Sequence, residues 1–231
     1  MNIEAAIIDL DGTMVDTMGD FVAAINLMLH DLGYRPVDRS VVAVRVGKGS
    51  ENLVKSVLNH VEDQSIQVQA APEIIASSAN ALDLYQQHYR VINGLHANLY
   101  PGVMDGLLDL QRAGLKLACL TNKPAGFAAE LLRIKKLHGF FSAVFGGDSF
   151  AEKKPHPLPV LQTCKALGTL PARTLMIGDS SNDAEAARAA GCPVILVTYG
   201  YNHGAPIRSV DADGYTDSLA GIAAQLTALA G

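Results

Sequence analysis

The chain has 231 residues, 23 acids against 18 Lys and Arg, a formal net charge of -5 and 49% hydrophobic residues. That length suits one large domain, or one domain with an insert, and 18% charged residues are too few for a disordered chain. The acidic balance and the lack of a basic cluster argue against nucleic acid or an anionic membrane as partner.

The opening stretch, MNIEAAIIDLDG, carries Glu4, Asp9 and Asp11 where a signal peptide needs an apolar core. No apolar run reaches the roughly 18 to 20 residues of a membrane span. The expectation is a soluble, cytoplasmic protein, monomer or homodimer. Cys119, Cys164 and Cys192 lack metal-ligand spacing and read as small buried hydrophobes.

In chain order, the first predicted strand is AAIIDL (5 to 10), a continuous apolar run of the kind buried on both faces of a parallel sheet. A helical interval follows. Phe21, Ile25, Met28 and Leu32 mark one amphipathic helix; Leu53, Val57 and Val61 a second; Leu82, Tyr85, Tyr89 and Ile92 a third. Strand and helix then alternate. Predicted strands are LKLACL (115 to 120), AVFGG (143 to 147), TLMIG (174 to 178) and VILVTY (194 to 199). Helices are predicted in GVMDGLLDLQRAG, AGFAAELLRIKKL, PLPVLQTCKALG and NDAEAARAAG, and the tail LAGIAAQLTALAG closes the chain with Leu219, Ile222, Leu226 and Leu229 at helical spacing. This is the pattern of an α/β fold with a doubly wound, mostly parallel sheet. More than 100 residues separate the first two predicted strands, so residues 17–92 read as an inserted all-helical domain on a body formed by 1–16 and 93–231.

In such sheets ligands bind beyond the carboxyl ends of the strands. There the sequence places DLDGTMVD (9 to 16), TNK (121 to 123), EKKPHP (152 to 157) and GDSSND (178 to 183). Asp9 and Asp11 face one site if the strand continues, and two close carboxylates repel unless one is protonated or a divalent cation holds them. Asp179 and Asp183 add two more acids. A convergence of aspartate oxygens without His or Cys suits a hard ion, Mg²⁺ above all. Thr121 and Asn122 are candidate donors to phosphate, and Lys154 a fixed positive charge. Each piece has a plainer reading, DxD as a turn and GDSSND as a helix cap. Their joint occurrence at separate strand ends favours a site.

VGKGSENL (46 to 53) puts Gly47 and Gly49 around Lys48, a candidate anion loop at a helix start. It lacks the P-loop spacing. Lys153 reads as solvated, and His156 and His203 as loop residues.

DLDGTMVD, LTN, KKPHP and GDSSND, in this order, resemble the four motifs of the haloacid dehalogenase superfamily, and the helical interval is similar to its C1-type cap. LYPGVMDGLLDLQRAGLKLACLTNKP, GGDSFAEKKPHPLPVL and VTYGYNHG resemble the bacterial phosphoglycolate phosphatases of that superfamily. The resemblance implies a Mg²⁺-dependent phosphomonoester hydrolase acting on a small phosphorylated metabolite, 2-phosphoglycolate first. It implies Asp9 as nucleophile, Asp11 as general acid and base, Thr121 as phosphate ligand and Lys154 as charge neutraliser. Gly12, Thr13 and Asn122 fall beside the phosphate, and the metal is held by Asp9, Asp11 through its carbonyl, Asp179 and, directly or through a neighbour, Asp183, with Asn182 able to share that role. The cap loop then selects substrate, with Lys48 and the amides around Gly47 and Gly49 the first candidates for its carboxylate and Arg45 the second. Other sugar-phosphate phosphatases and a phosphomutase remain open, as does, in a different class, a phosphorylated signalling receiver, which has no use for Asp11 as proton donor or for a helical lid.

Overall fold

The computed structural model describes residues 2–68 and 78–230. Strand β1 (Ala5–Ile8) leads through a turn into the two-residue β2 (Val15–Asp16), then helices α1 (Met18–Asp31), α2 (Arg39–Ala43), α3 (Ser50–Val68) and α4 (Ser78–Ile92). The chain returns through β3 (Asn98–Leu99), α5 (Val103–Arg112), β4 (Lys116–Leu120), α6 (Ala125–Ile134) and β5 (Ala143–Phe145). It ends with α7 (Leu158–Leu167), β6 (Thr174–Gly178), α8 (Ser181–Ala190), β7 (Val194–Val197), β8 (Gly214–Thr216) and α9 (Ile222–Ala230).

Six strands form one sheet in the order β5-β4-β1-β6-β7-β8, and every pairing in it is parallel. Side chains alternate across it as strand geometry requires. Ala6 and Ile8 face a core with Val103, Leu107, Leu110, Leu131 and Ile222. Ala5 and Ile7 face the other, with Val160, Cys164, Met176 and Ala187. Both faces are therefore covered by helices, which is why the strands read as unbroken apolar runs. Each Leu or Ile so buried contributes about 1.5 to 3 kcal/mol relative to exposure.

The helical interval has an apolar cluster of its own, built on Phe21, Ile25, Met28, Leu53, Val57, Tyr85 and Tyr89. Its predicted stripes coincide with α1, α3 and α4; Leu229 of the predicted tail stripe lies outside the described side chains. The two chain crossings between this layer and the sheet are tied together. β2 and β3 pair antiparallel, and the buried Asp20 carboxylate accepts the amides of Gly94 and His96 at 2.7 Å each.

Several expectations need correction. The first strand ends at Ile8 rather than Leu10, because the Leu10 carbonyl accepts the amides of Thr13, Met14 and Val15 and so turns the chain. β7 likewise stops at Val197 and β5 at Phe145. β8, the β2–β3 ribbon and α2 have no counterpart in the sequence reading: each has two to five residues and no long apolar run. No helix among the described residues is long and apolar enough to cross a membrane.

Candidate active site

β4, β1 and β6 are neighbours at the centre of the sheet. The chain winds from β1 outward through β4 and β5, then jumps back to β6 on the other side. This is the switch point where an open α/β sheet leaves a crevice, and the loops after these three strands carry Thr121 to Lys123, Asp9 to Asp11 and Asp179 to Asp183. They line one small cavity of about 40 Å³. One water needs roughly 10 to 15 Å³ by such a measure, so this is a small-ligand space. Residues of the body form one wall; Phe21, Val46, Gly47, Gly49, Ser50, Leu53, Tyr85 and Tyr89 of the helical layer form the other.

Oxygens of Asp9, Asp179 and Asp183 lie within 4.8 Å of one another, and all three residues are buried. Lys154 threads between them. Its Nζ donates to Asp183 Oδ1 at 2.6 Å and to the Leu120 carbonyl at 2.8 Å, and lies 3.1 Å from Asp9 Oδ1. That last contact is an ion pair without hydrogen-bond direction, since Asp9 Oδ1 has no hydrogen-bond partner among the described residues. Burial works against the Lys154 charge, yet Asp183 and Asp9 hold it above its usual value.

One lysine does not neutralise three carboxylates. Burial pushes the Asp9 carboxyl up to about 7; Lys154 pulls against this, and Asp183 and Asp11 push again. Asp179 is raised well above the usual range by burial and then by Asp183 and Asp9. An all-oxygen donor set short of positive charge, with an Asp9 oxygen that among the described residues meets only the Lys154 ammonium, fits a hard divalent cation.

Asp183 is also a helix cap. Ser180 and Asp183 form a capping box on α8, and Asp183 Oδ2 accepts the Asp179 and Ser180 amides and the Ser180 hydroxyl. With Oδ1 on Lys154, its oxygens are committed, which leaves Asp9 and Asp179 as the more open pair. Asp179 Oδ2 takes the Tyr201 amide at 2.7 Å.

Thr121 Oγ1 accepts the Lys123 amide at 3.2 Å, which keeps its proton for an anion in the cavity. Asn122 lines the cavity, but its side chain is spent on the backbone: Oδ1 takes Lys154 N, and Nδ2 donates to Lys154 O and Gly47 O. Its side-chain oxygen and nitrogen are thus engaged within the protein. Gly12 and Thr13 stand aside from the cavity lining. Gly12, with φ of 84°, is required by close approach, since a Cβ there would sit 2.2 Å from Asp179 Oδ2. Thr13 is fully buried.

The two candidate cap cations lie away from the cavity. Gly47 and Gly49 line the cavity, but Lys48 is exposed and outside the lining, and Arg45 is bonded to the Ser56 and Val41 carbonyls within the helical layer. Gly47 presents its carbonyl, which takes the side-chain amides of Asn122 and Asn182 at 3.0 and 3.1 Å. His203 joins this contact through Asn182 and lines the wall, whereas His156 only receives the Leu158 amide. Lys153 is exposed, and the three cysteines are free and buried, as expected.

The cation that does enter the cavity beside Lys154 is Lys123, which the sequence reading passed over. It is 5% exposed, and its Nζ bonds Asp11 Oδ1 at 2.9 Å, Asp11 Oδ2 at 3.1 Å and the Tyr89 hydroxyl at 2.7 Å. It also lies over the rings of Phe21 and Tyr89, at 4.7 and 4.8 Å from their centroids. The available signal was its place directly after Thr121 and Asn122 at a strand end.

A switch-point crevice with strand-end aspartates, a strand-end threonine and a buried lysine defines a class, and the sequence profile of the haloacid dehalogenase-like hydrolases matches residues 6–197. The chain belongs to that family. It is 41% identical over 225 residues to the phosphoglycolate phosphatase of Thiobacillus denitrificans, covering 97% of this chain and 96% of that one. It is also 41% identical over 223 residues to the plasmid phosphoglycolate phosphatase of Cupriavidus necator, covering 96% and 93%. The crystal structure of a predicted phosphoglycolate phosphatase from Haemophilus somnus superposes with a TM-score of 0.86 at 30% identity, over 98% of this chain and 99% of that one.

Proposed function

We propose that this protein hydrolyses 2-phosphoglycolate to glycolate and phosphate through an aspartyl-phosphate on Asp9, with Mg²⁺ as cofactor. The observation that carries the reading is the buried, unbonded Asp9 Oδ1 beside the Lys154 ammonium. A carboxylate attacks a phosphate only where the repulsion between them is offset, and a fixed lysine does that without reorganisation. The names of the relatives and the small cavity support the substrate.

Asp9 attacks phosphorus, the bond to the glycolate oxygen breaks, and the departing oxygen takes a proton from Asp11. Asp11 then takes a proton from water, whose oxygen displaces Asp9 from phosphorus, releasing phosphate and restoring the carboxylate. Thr121 donates to a phosphate oxygen and Lys154 offsets charge. Asp9, Asp179 and the Asp11 carbonyl are the groups to hold Mg²⁺, with Asp183 steadying them. When bound, the ion supplies further positive charge against the phosphate.

We read residues 17–92 as a lid and 1–16 with 93–231 as the catalytic body. The Gly47 carbonyl between Asn122 and Asn182, and Tyr89 on Lys123, supply closing contacts that shield the site from bulk water while leaving room for the one attacking water. Tyr201 links the site to the crossing: its amide bonds Asp179, and its hydroxyl donates to Asp16 Oδ1 and accepts the Thr17 amide.

Asp9→Asn tests the reading. It removes the attacking charge at constant size, so phosphate release should fall by roughly four to six decades while circular dichroism is unchanged. A folded Asp9→Asn protein that keeps a tenth of the turnover would exclude the covalent route.

A further inference from the structure

The body wall accounts for the phosphoryl group, and with Lys48 outside the cavity the far end of the substrate lacks a partner. The helical wall holds one. Tyr85 and Tyr89 stand four residues apart on α4, so their rings share a face, with centroids 5.5 Å apart. Both rings line the cavity, and both residues are no more than 1% exposed.

The Tyr85 hydroxyl is buried and completes no hydrogen bond of good geometry among the described residues, although the Ser50 side chain approaches it. A buried polar group left unsatisfied is destabilising, and such a group facing a cavity is explained when a ligand completes it. The Tyr89 oxygen accepts from Lys123, which leaves its own proton to be donated. Burial, and after it the Asp11 charge, holds both phenols well above their usual range, so both stay protonated. Lys123 has its contacts on Asp11 and Tyr89 and contributes charge at short range. Two phenolic donors that share one face, beside the Lys123–Asp11 ion pair, suit the two oxygens of a small planar anion.

We propose that Tyr85 and Tyr89, backed by Lys123, form the subsite that binds the carboxylate of the substrate and so set its specificity. The inference rests on 2-phosphoglycolate being the substrate. An ester without a carboxylate leaves Tyr85 unsatisfied in the closed cavity, and discrimination of this kind is large because the penalty falls on the wrong ligand.

The test compares 2-phosphoglycolate with ethyl phosphate, an ester of the same length without the carboxylate, in the wild type and in Tyr85→Phe. Wild type should strongly prefer phosphoglycolate. Tyr85→Phe deletes one oxygen and keeps the ring, so KM for phosphoglycolate should rise about 10-fold or more, the worth of a hydrogen bond to a charged group, with ethyl phosphate within about twofold. Its melting temperature should be equal or higher, since an unsatisfied buried hydroxyl has gone; a merely structural tyrosine would lower it and weaken both substrates alike. Equal effects on the two esters, or none, overturn the subsite while leaving the phosphatase reading intact. A wild type that does not distinguish the two esters removes the substrate reading and this inference with it.

Discussion

The two walls of the cavity are built on opposite plans. On the body wall charge is dense and nearly every polar atom is committed: Asp183 to a helix cap and Lys154, Asn122 to two backbone segments, Asp11 to Lys123. On the helical wall the surface is apolar and aromatic, and a buried phenol completes no hydrogen bond of good geometry among the described residues. Chemistry needs groups held rigidly at strand ends, because charge develops there and fixed dipoles stabilise it without rearrangement. Selection needs a wall that gains its missing bond only from the right ligand. Lys123 belongs to the body by sequence and meets both walls, so it joins the proton-handling aspartate to the selecting helix.

The largest effect expected on this division is at Asp11. Asp11→Ala should slow alkyl phosphates by roughly two to four decades and aryl phosphates far less, since a phenolate leaves without a proton. Parallel losses on both would confine Asp11 to holding the metal. Lys154→Met comes next, leaving Asp9 and Asp183 unpaired in a buried site. Unfolding titrations should show a loss of about 3 to 5 kcal/mol, and turnover should drop by about two to three decades. A stable, active Lys154→Met protein would contradict the crowded-wall description.

Asp183→Asn sharpens the same wall. With both oxygens engaged, Asp183 steadies the metal site from outside, so Mg²⁺ affinity, measured from activity restored after chelation, should weaken about 10- to 100-fold. Complete loss of binding would make it a direct ligand. The smallest effect is at Lys48: Lys48→Ala should change KM for phosphoglycolate by less than about twofold, as for an exposed side chain away from special features. A selective rise there would return the carboxylate to the loop around Gly47.

What was legible in the sequence was what local chemistry and strand order determine. Asp9, Thr121 and Asp179 directly follow apolar strands, Asp11, Lys154 and Asp183 lie in the segments after strands, and a parallel sheet gathers such ends, so all six line one cavity. The stripes of α1, α3 and α4 follow from helical period alone. What stayed hidden depends on contacts across long separations. Lys123 meets Tyr89 from 34 positions away and Asp11 from 112, and composition holds no trace of either pairing. Lys48, flanked by glycines, looked like an anion ligand. Tyr85 and Tyr89 looked like core, because an apolar stripe does not reveal which hydroxyl is left unsatisfied. Gly12 and Asn122 were read as phosphate contacts, and their types also serve geometry: one clears Asp179, the other ties Lys154 and Gly47 in place. β8, three residues beginning with glycine, had no apolar run to announce it.

The most direct test of the central claim is to catch the phosphoryl group on Asp9. Wild-type protein mixed with Mg²⁺ and 2-phosphoglycolate, quenched in acid within the first turnovers and digested, should give the peptide around Asp9 with the added mass of one phosphoryl group. The signal should be absent from Asp9→Asn and should decay as substrate is exhausted. Rapid turnover with no phosphorylated peptide at any quench time, or the label on another residue, would contradict the account.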